Sequence, residues 1–189
     1  MSAPREIALV GDPVSGSVSP ALQNAAFGEL GLALTYRAVR VPRGGLADAF
    51  PGLRERFTGL NVTTPHKEEA ARLVDLLEPA ARASGSVNTV IFRNGVAIGD
   101  STDGAGFLRA LRRGAPGREL RAALILGTGG AARAVAAALL IERFAVRVCG
   151  RDAAAARRLA DDLTGVEPVA TEEADAVLDD TDLLVSAVP

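Results

Sequence analysis

The sequence predicts an α/β protein built as two units, a mixed-sheet unit followed by a partial parallel-sheet unit. Three observations carry this. Short apolar runs alternate with longer helical patterns along nearly the whole chain, the signature of βαβ units and a largely parallel sheet. An Asn94-Gly95 dipeptide separates two apolar runs, the signal of a tight antiparallel hairpin. A loop, Gly114-Ala115-Pro116-Gly117, is followed by a fresh apolar strand and a glycine-rich turn. The break falls between about residues 99 and 122, and the units are taken as 1–103 and 104–189.

The strands are expected at 7–11, 35–41, 59–63, 87–92, 96–99, 123–127, 146–149 and 183–186. These are short apolar runs set between the longer helical patterns. Helical patterns cover 20–30, 45–54, 67–76, 104–113, 130–143, 153–163 and 171–178. Ser19-Pro20 reads as an N-cap followed by proline in the first turn, and Asp152 as the N-cap of the helix from Ala153. No internal repeat or low-complexity segment interrupts the pattern.

The 189 residues are 48% hydrophobic, enough for a packed core, with a formal charge of −2. That balance gives no basic surface for a nucleic-acid partner. The single cysteine, Cys149, excludes an internal disulfide framework and fits a reducing compartment. The apolar run at 7–10 is too short for a signal peptide, and the longest apolar stretch, 134–141, falls short of the ~20 residues that span a bilayer. A cytoplasmic protein without a membrane partner, monomer or homodimer, is expected.

Two places carry chemistry. Gly127-Thr128-Gly129-Gly130-Ala131-Ala132 fits the G-x-G-x-x-G/A fingerprint of a Rossmann-like dinucleotide site. Gly127 allows the turn, Gly129 lets backbone approach a pyrophosphate, and Ala132 lets the helix pack on the strand. The alternative is a tight turn without a ligand. The next strand ends Val148-Cys149-Gly150-Arg151-Asp152, with Arg151 and no acid at 150. An arginine there suits the 2′-phosphate of NADP, whereas NAD sites place Asp or Glu at this point.

The other place lies at strand ends in the first unit. Ser17 and Ser19 would set two hydroxyls beside a helix start, suited to a small carboxylate or to turn capping alone. The segments Asn61-Val62-Thr63-Thr64-Pro65-His66-Lys67, Val87-Asn88-Thr89 and Thr102-Asp103-Gly104 put polar groups at the ends of apolar runs, where open α/β sheets bind ligands. An ammonium paired with a carboxylate could polarise a carbonyl and supply its proton, or be a surface ion pair.

These segments, in this order and with the glycine turn, resemble the shikimate dehydrogenase family, and the resemblance spans nearly the whole chain. It implies an N-terminal mixed-sheet α/β substrate domain plus a partial Rossmann-like dinucleotide-binding domain. It implies reversible NADP-dependent reduction of 3-dehydroshikimate to shikimate, in chorismate and aromatic amino acid biosynthesis. Lys67 matches the family's catalytic lysine and Asp103 its paired aspartate. Ser17 and Ser19 match contacts to the substrate carboxylate; Thr63, Asn88 and Asp103 match contacts to its ring hydroxyls. Gly127, Thr128, Gly129, Gly130 and Ala131 match the phosphate loop, and Arg151 the adenosine-phosphate site. The pattern departs at Ser101 and Gly150, where the family has asparagine, and at Gly16 and Gln23, where it often has histidine. His66, the only histidine, is read as structural, and Cys149 as inert. The resemblance also implies further chain after residue 189, with C-terminal helices that bring a glutamine to the substrate site. A quinate dehydrogenase using NAD or NADP, or a non-catalytic binding module in this shorter form, is the alternative.

Overall fold

A computed structural model of the chain describes residues 5–188; expectations placed on residues 1–4 and on Pro189 lie outside the described residues. Two compact units form. Among the described residues the first comprises 5–78 and 87–100, the second 79–86 and 101–188.

In the first unit the elements are β1 (Arg5–Gly11), α1 (Ser19–Glu29), β2 (Leu34–Arg40), α2 (Leu46–Arg56), β3 (Gly59–Val62), α3 (Lys67–Leu73), β4 (Leu76–Leu77), β5 (Thr89–Arg93) and β6 (Val96–Asp100), with α4 (Pro79–Ser84) belonging to the second unit. The sheet order is β2-β1-β3-β5-β6-β4. β1 pairs in parallel with β2 and β3, whereas β5 runs antiparallel to both β3 and β6. The mixed sheet thus has its antiparallel part at the Asn94-Gly95 hairpin. Both turn residues have positive φ, 51° and 76°, which Asn and Gly tolerate best. Val10, Leu60, Val62, Val90 and Ala97 fill the sheet's interior positions, and α2 contributes Leu46, Phe50 and Leu53. Phe50 meets Phe92 edge to face at 5.8 Å.

The second unit adds α5 (Asp103–Gly114), β7 (Ala122–Leu126), α6 (Gly130–Ile141), β8 (Ala145–Cys149), α7 (Ala153–Asp162), β9 (Val166–Val169) and β10 (Leu183–Ser186). Its four strands are all parallel, in the order β10-β7-β8-β9. The order reverses at β7, so the crevice outside the carboxyl ends of β7 and β10 is the topological switch point where such sheets bind ligands. Ala123, Ile125, Val146, Val148 and Val185 of the strands pack against Ala132, Val135, Ala136 and Leu139 of α6 and Ala156 and Leu159 of α7. A sheet buried on its faces needs such continuous apolar strands.

Four local expectations are corrected. The 171–178 pattern folds as two short 3₁₀ turns, Thr171–Glu173 and Asp175–Val177, neither with a fully buried residue. The helix from Lys67 stops at Leu73, because Val74 turns extended and the Asp75 N–H donates to the Ala97 carbonyl (2.9 Å), starting β4 on β6. The short elements β4, α4 and β9 were not among the expected ones. Val18 holds the cap position of α1 instead of Ser19, with Ser19 in the first turn and its N–H donating to Ser17 Oγ (3.2 Å). Asp152 does cap α7, accepting from the N–H groups of Ala154 (2.9 Å) and Ala155 (3.1 Å).

Asp182 latches the start of β10 to β7. Its Oδ2 accepts from the backbone N–H of Arg121 (2.7 Å) and Ala122 (2.9 Å). These two bonds, Arg121's the larger, hold the carboxyl below the usual carboxylate range. A depressed native pKa gives stability that is complete at neutral pH and disappears as acid protonates the carboxylate. The melting temperature of wild type is therefore expected to fall on acidification below the ordinary carboxylate range, and Asp182→Asn to be less stable at pH 7 with a shallower acid slope. Parallel acid slopes in thermal melts would refute the latch.

Candidate active site

The first unit gathers its candidate residues at one sheet end. β1 and β3 are parallel, so the loops after them leave from the same edge; β5 is antiparallel, so the residues before it arrive there too. Backbone bonds tie these segments together. Thr63 N–H donates to the Val10 carbonyl (2.8 Å), Asp12 N–H to the Thr64 carbonyl (3.0 Å), and Val62 N–H to the Asn88 carbonyl (2.8 Å). Val87 N–H donates to the carbonyl of Lys67 (2.9 Å), which joins the start of α3 to the residue before Asn88. Ser17, Ser19, Thr63, Lys67 and Asn88 thus share one end of one sheet. Both cis peptide bonds, Asp12–Pro13 and Thr64–Pro65, lie in these loops.

Charge at this edge is arranged by Arg40, whose Nε donates to Asp12 (2.7 Å) and holds that carboxyl below its usual range. His66 is fully buried. Its Nε2 lies 2.7 Å from the Val41 carbonyl, which only accepts, so Nε2 carries a proton and donates there. His66 therefore anchors the loop before Lys67 to the segment after β2. Lys67 itself is half-buried and opens α3.

Asp103 and the glycine turn belong to the second unit. Asp103 is the first residue of α5, in the first turn where a carboxylate suits the helix dipole. Its position is fixed by Gly104, where a Cβ would stand 2.6 Å from the Ala134 carbonyl oxygen and 2.8 Å from Ala138 Cβ. Helices α5 and α6 approach there to backbone contact, so a larger residue would have to push them apart.

The turn after β7 begins at buried Gly127, whose φ is +125° and whose N–H donates to the Cys149 carbonyl (2.8 Å). Gly129 is exposed, and a Cβ there would meet nothing within 4 Å. No side chain caps α6, so its first N–H groups face the switch point with the positive end of the helix. Ala132 is fully buried against the sheet. A diphosphate fits this turn. At Gly150 a Cβ would stand 2.7 Å from the Thr128 methyl, so Thr128 fills the space a side chain at 150 would need. Arg151 is exposed just beyond, beside the capping carboxylate of Asp152. Cys149 is buried. Among the described residues no helix is long and apolar enough to cross a membrane, and no group of His, Cys, Asp and Glu could hold a metal ion.

A polar network that motif reading does not reveal also lies in the first unit. Tyr36 O–H, on β2, donates to Asn61 Oδ1 (2.8 Å); Asn61 Nδ2 donates to the Asn88 carbonyl and to Thr89 Oγ1 (3.3 Å each). Thr89 Oγ1 in turn donates to Asn88 Oδ1 (3.0 Å).

Comparison with known proteins agrees with this architecture. Residues 9–90 match the family described as shikimate dehydrogenase substrate binding domain, and residues 113–189 the family described as shikimate / quinate 5-dehydrogenase. A shikimate dehydrogenase (NADP(+)) of Rubrobacter xylanophilus is 49% identical over 136 residues, covering 71% of this chain and 48% of that protein. One from Methanopyrus kandleri is 43% identical over 199 residues, covering 97% of this chain and 67% of that protein. The chain thus spans about half to two-thirds of the length of these relatives. A Thermus thermophilus shikimate 5-dehydrogenase, solved with NADP(H) and shikimate, superposes with a TM-score of 0.82 at 39% identity, over 97% of this chain and 68% of that one. With both family matches lying in order along it, the chain belongs to the shikimate dehydrogenase family.

Proposed function

We propose that the protein containing this chain interconverts 3-dehydroshikimate and shikimate with NADP as the hydride carrier, in the cytoplasm and as a step towards aromatic amino acids. The observation that carries this is the gathering of Ser17, Ser19, Thr63, Lys67 and Asn88 at one sheet end, in a chain whose second unit has an open glycine turn at its switch point. Bound NADP(H) supplies or accepts the hydride. Gly127, Thr128, Gly129, Gly130 and Ala131 would hold its diphosphate on backbone N–H groups, and Arg151 its 2′-phosphate.

The chain's own residues do the rest. Ser17 and Ser19 hydroxyls hold the substrate carboxylate. Thr63, Asn88 and Asp103 bond ring hydroxyls. The Lys67 ammonium polarises the ring carbonyl and gives its proton to the oxygen as the C–H bond forms; in reverse, its amine takes the hydroxyl proton. Asp103 orients and stabilises the ammonium. Cys149, buried and single, takes no part.

The test is nicotinamide absorbance with the full-length protein and shikimate or quinate, each with NADP⁺ or NAD⁺. Shikimate with NADP⁺ is expected to give the highest kcat/KM, by about tenfold or more, the worth of one or two altered polar contacts. A quinate preference would favour the other activity in the matched family's description. Calorimetric binding of shikimate without turnover in any arm would leave a binding module and overturn the enzyme reading.

A further inference from the structure

The network from Tyr36 to Asn88 has a direction. The Asn88 carbonyl only accepts, so the end of the Asn61 amide facing it must be the NH₂. That turns Asn61 Oδ1 toward Tyr36, whose hydroxyl must then donate. Tyr36 is 4% exposed, and burial pushes its phenol above the usual range, which keeps that proton in place. The second bond of Asn61 Nδ2 goes to Thr89 Oγ1, directly across the β3–β5 pair. Thr89 Oγ1 accepts there and donates its own proton to Asn88 Oδ1 (3.0 Å). The series ends on the side chain assigned to the substrate's ring hydroxyls.

We propose that Thr89, oriented by Asn61 and Tyr36, is a positioning residue that holds the Asn88 carboxamide in one orientation by donating to its oxygen. This rests on the reading of Asn88 as a substrate contact. Without the Thr89 hydroxyl the carboxamide loses the bond that fixes its orientation, and the geometry of its contacts to the substrate changes with it. The series also starts from a rigid point. Asn24 of α1 grips the Tyr36 backbone in both directions, its Nδ2 donating to the Tyr36 carbonyl and its Oδ1 accepting from the Tyr36 N–H, each at 2.8 Å. The phenol is therefore held both by its strand and by the helix that begins at Ser19.

The experiment uses the full-length enzyme. Thr89→Val keeps the shape and removes the hydroxyl. It is expected to raise the shikimate KM about five- to tenfold, the worth of one neutral hydrogen bond, and to leave the KM for NADP⁺ unchanged. Thr89→Ser, which restores the donor, is expected to return the shikimate KM to within about twofold of wild type. Tyr36→Phe is expected to move it the same way by a smaller factor. The deciding arm is a cycle with Asn88→Ala. If Thr89 acts through Asn88, Thr89→Val adds nothing once the amide is gone. Full additivity in that cycle, failure of serine to rescue, or equal rises in both KM values would overturn the positioning role while leaving Asn88 as a substrate contact. An Asn88→Ala enzyme with wild-type shikimate KM would instead overturn the substrate reading, and with it the role given to Thr89.

Discussion

Lys67→Ala in the full-length protein is expected to lower kcat for shikimate oxidation by about 10²–10⁴, the usual worth of a positioned acid–base group. The fold should not notice. Lys67 is half-buried at the start of a seven-residue helix, and the bond that ties this point into the sheet is accepted by its backbone carbonyl, which alanine retains. Loss of one half-buried side chain is expected to cost about 1 kcal/mol, which leaves the protein folded. On the proposed reading Ser17, Ser19, Thr63 and Asn88 hold the carboxylate and ring hydroxyls, so shikimate KM should move far less than kcat. Lys67→Arg separates charge from proton transfer. Arginine keeps the positive charge but does not give up its proton at working pH, so it should bind substrate normally and stay slow. Steady-state kinetics beside a thermal melt make the check. A Lys67→Ala enzyme retaining more than about a tenth of wild-type kcat would remove lysine from the proton-transfer role.

Most of the fold was legible because local chemistry and tertiary packing agree. Asn94-Gly95 could hardly be anything but a hairpin, since both residues accept the positive φ they adopt. Asp152, three residues past the end of β8, caps α7 with its side chain. The glycine turn announced the switch point because strand, turn and apolar helix follow one another without interruption.

What was not legible is decided by neighbours far along the chain. β9 reads Val166-Glu167-Pro168-Val169; proline argues against a strand, and it is tolerated here because β9 is the sheet edge, beside β8 alone. Residues 171–178 have helical spacing but reach the core only partly, through Ala174 and Val177, and so short a segment lacks the packing that sustains an α-helix. The site shows the same division. Motifs named Lys67, Asn88 and Asp103, but nothing in the sequence around Tyr36 marks it. Its being the only tyrosine was a fact without direction until β2 and β3 placed its hydroxyl 2.8 Å from Asn61.

Gly127 and Gly129 of the phosphate turn should fail in different ways, and the contrast tests the cofactor site. Gly127 is structural. At φ +125° it occupies backbone space that residues with a side chain rarely enter, and a Cβ there would stand 2.8 Å from the Ala187 carbonyl oxygen, at the end of the neighbouring strand β10. Backbone strain of about 1–3 kcal/mol adds to an overpacking cost of about 1–3 kcal/mol. Gly127→Val is therefore expected to melt well below wild type, or not to fold, whether or not cofactor is present. Gly129 has an ordinary φ of −85° and open space where its Cβ would be. Nothing in the protein requires glycine there, so Gly129→Ala should melt within about 2 °C of wild type, a surface-sized change. On the proposed reading a methyl group there would fill the space through which the diphosphate reaches the N–H groups of α6. NADP⁺ binding by Gly129→Ala, read by calorimetry on the folded protein, is expected to weaken tenfold or more, about 1.4 kcal/mol. Wild-type affinity in Gly129→Ala would mean that no phosphate lies against the turn, and the resting place of the nucleotide would have to be sought elsewhere in the second unit.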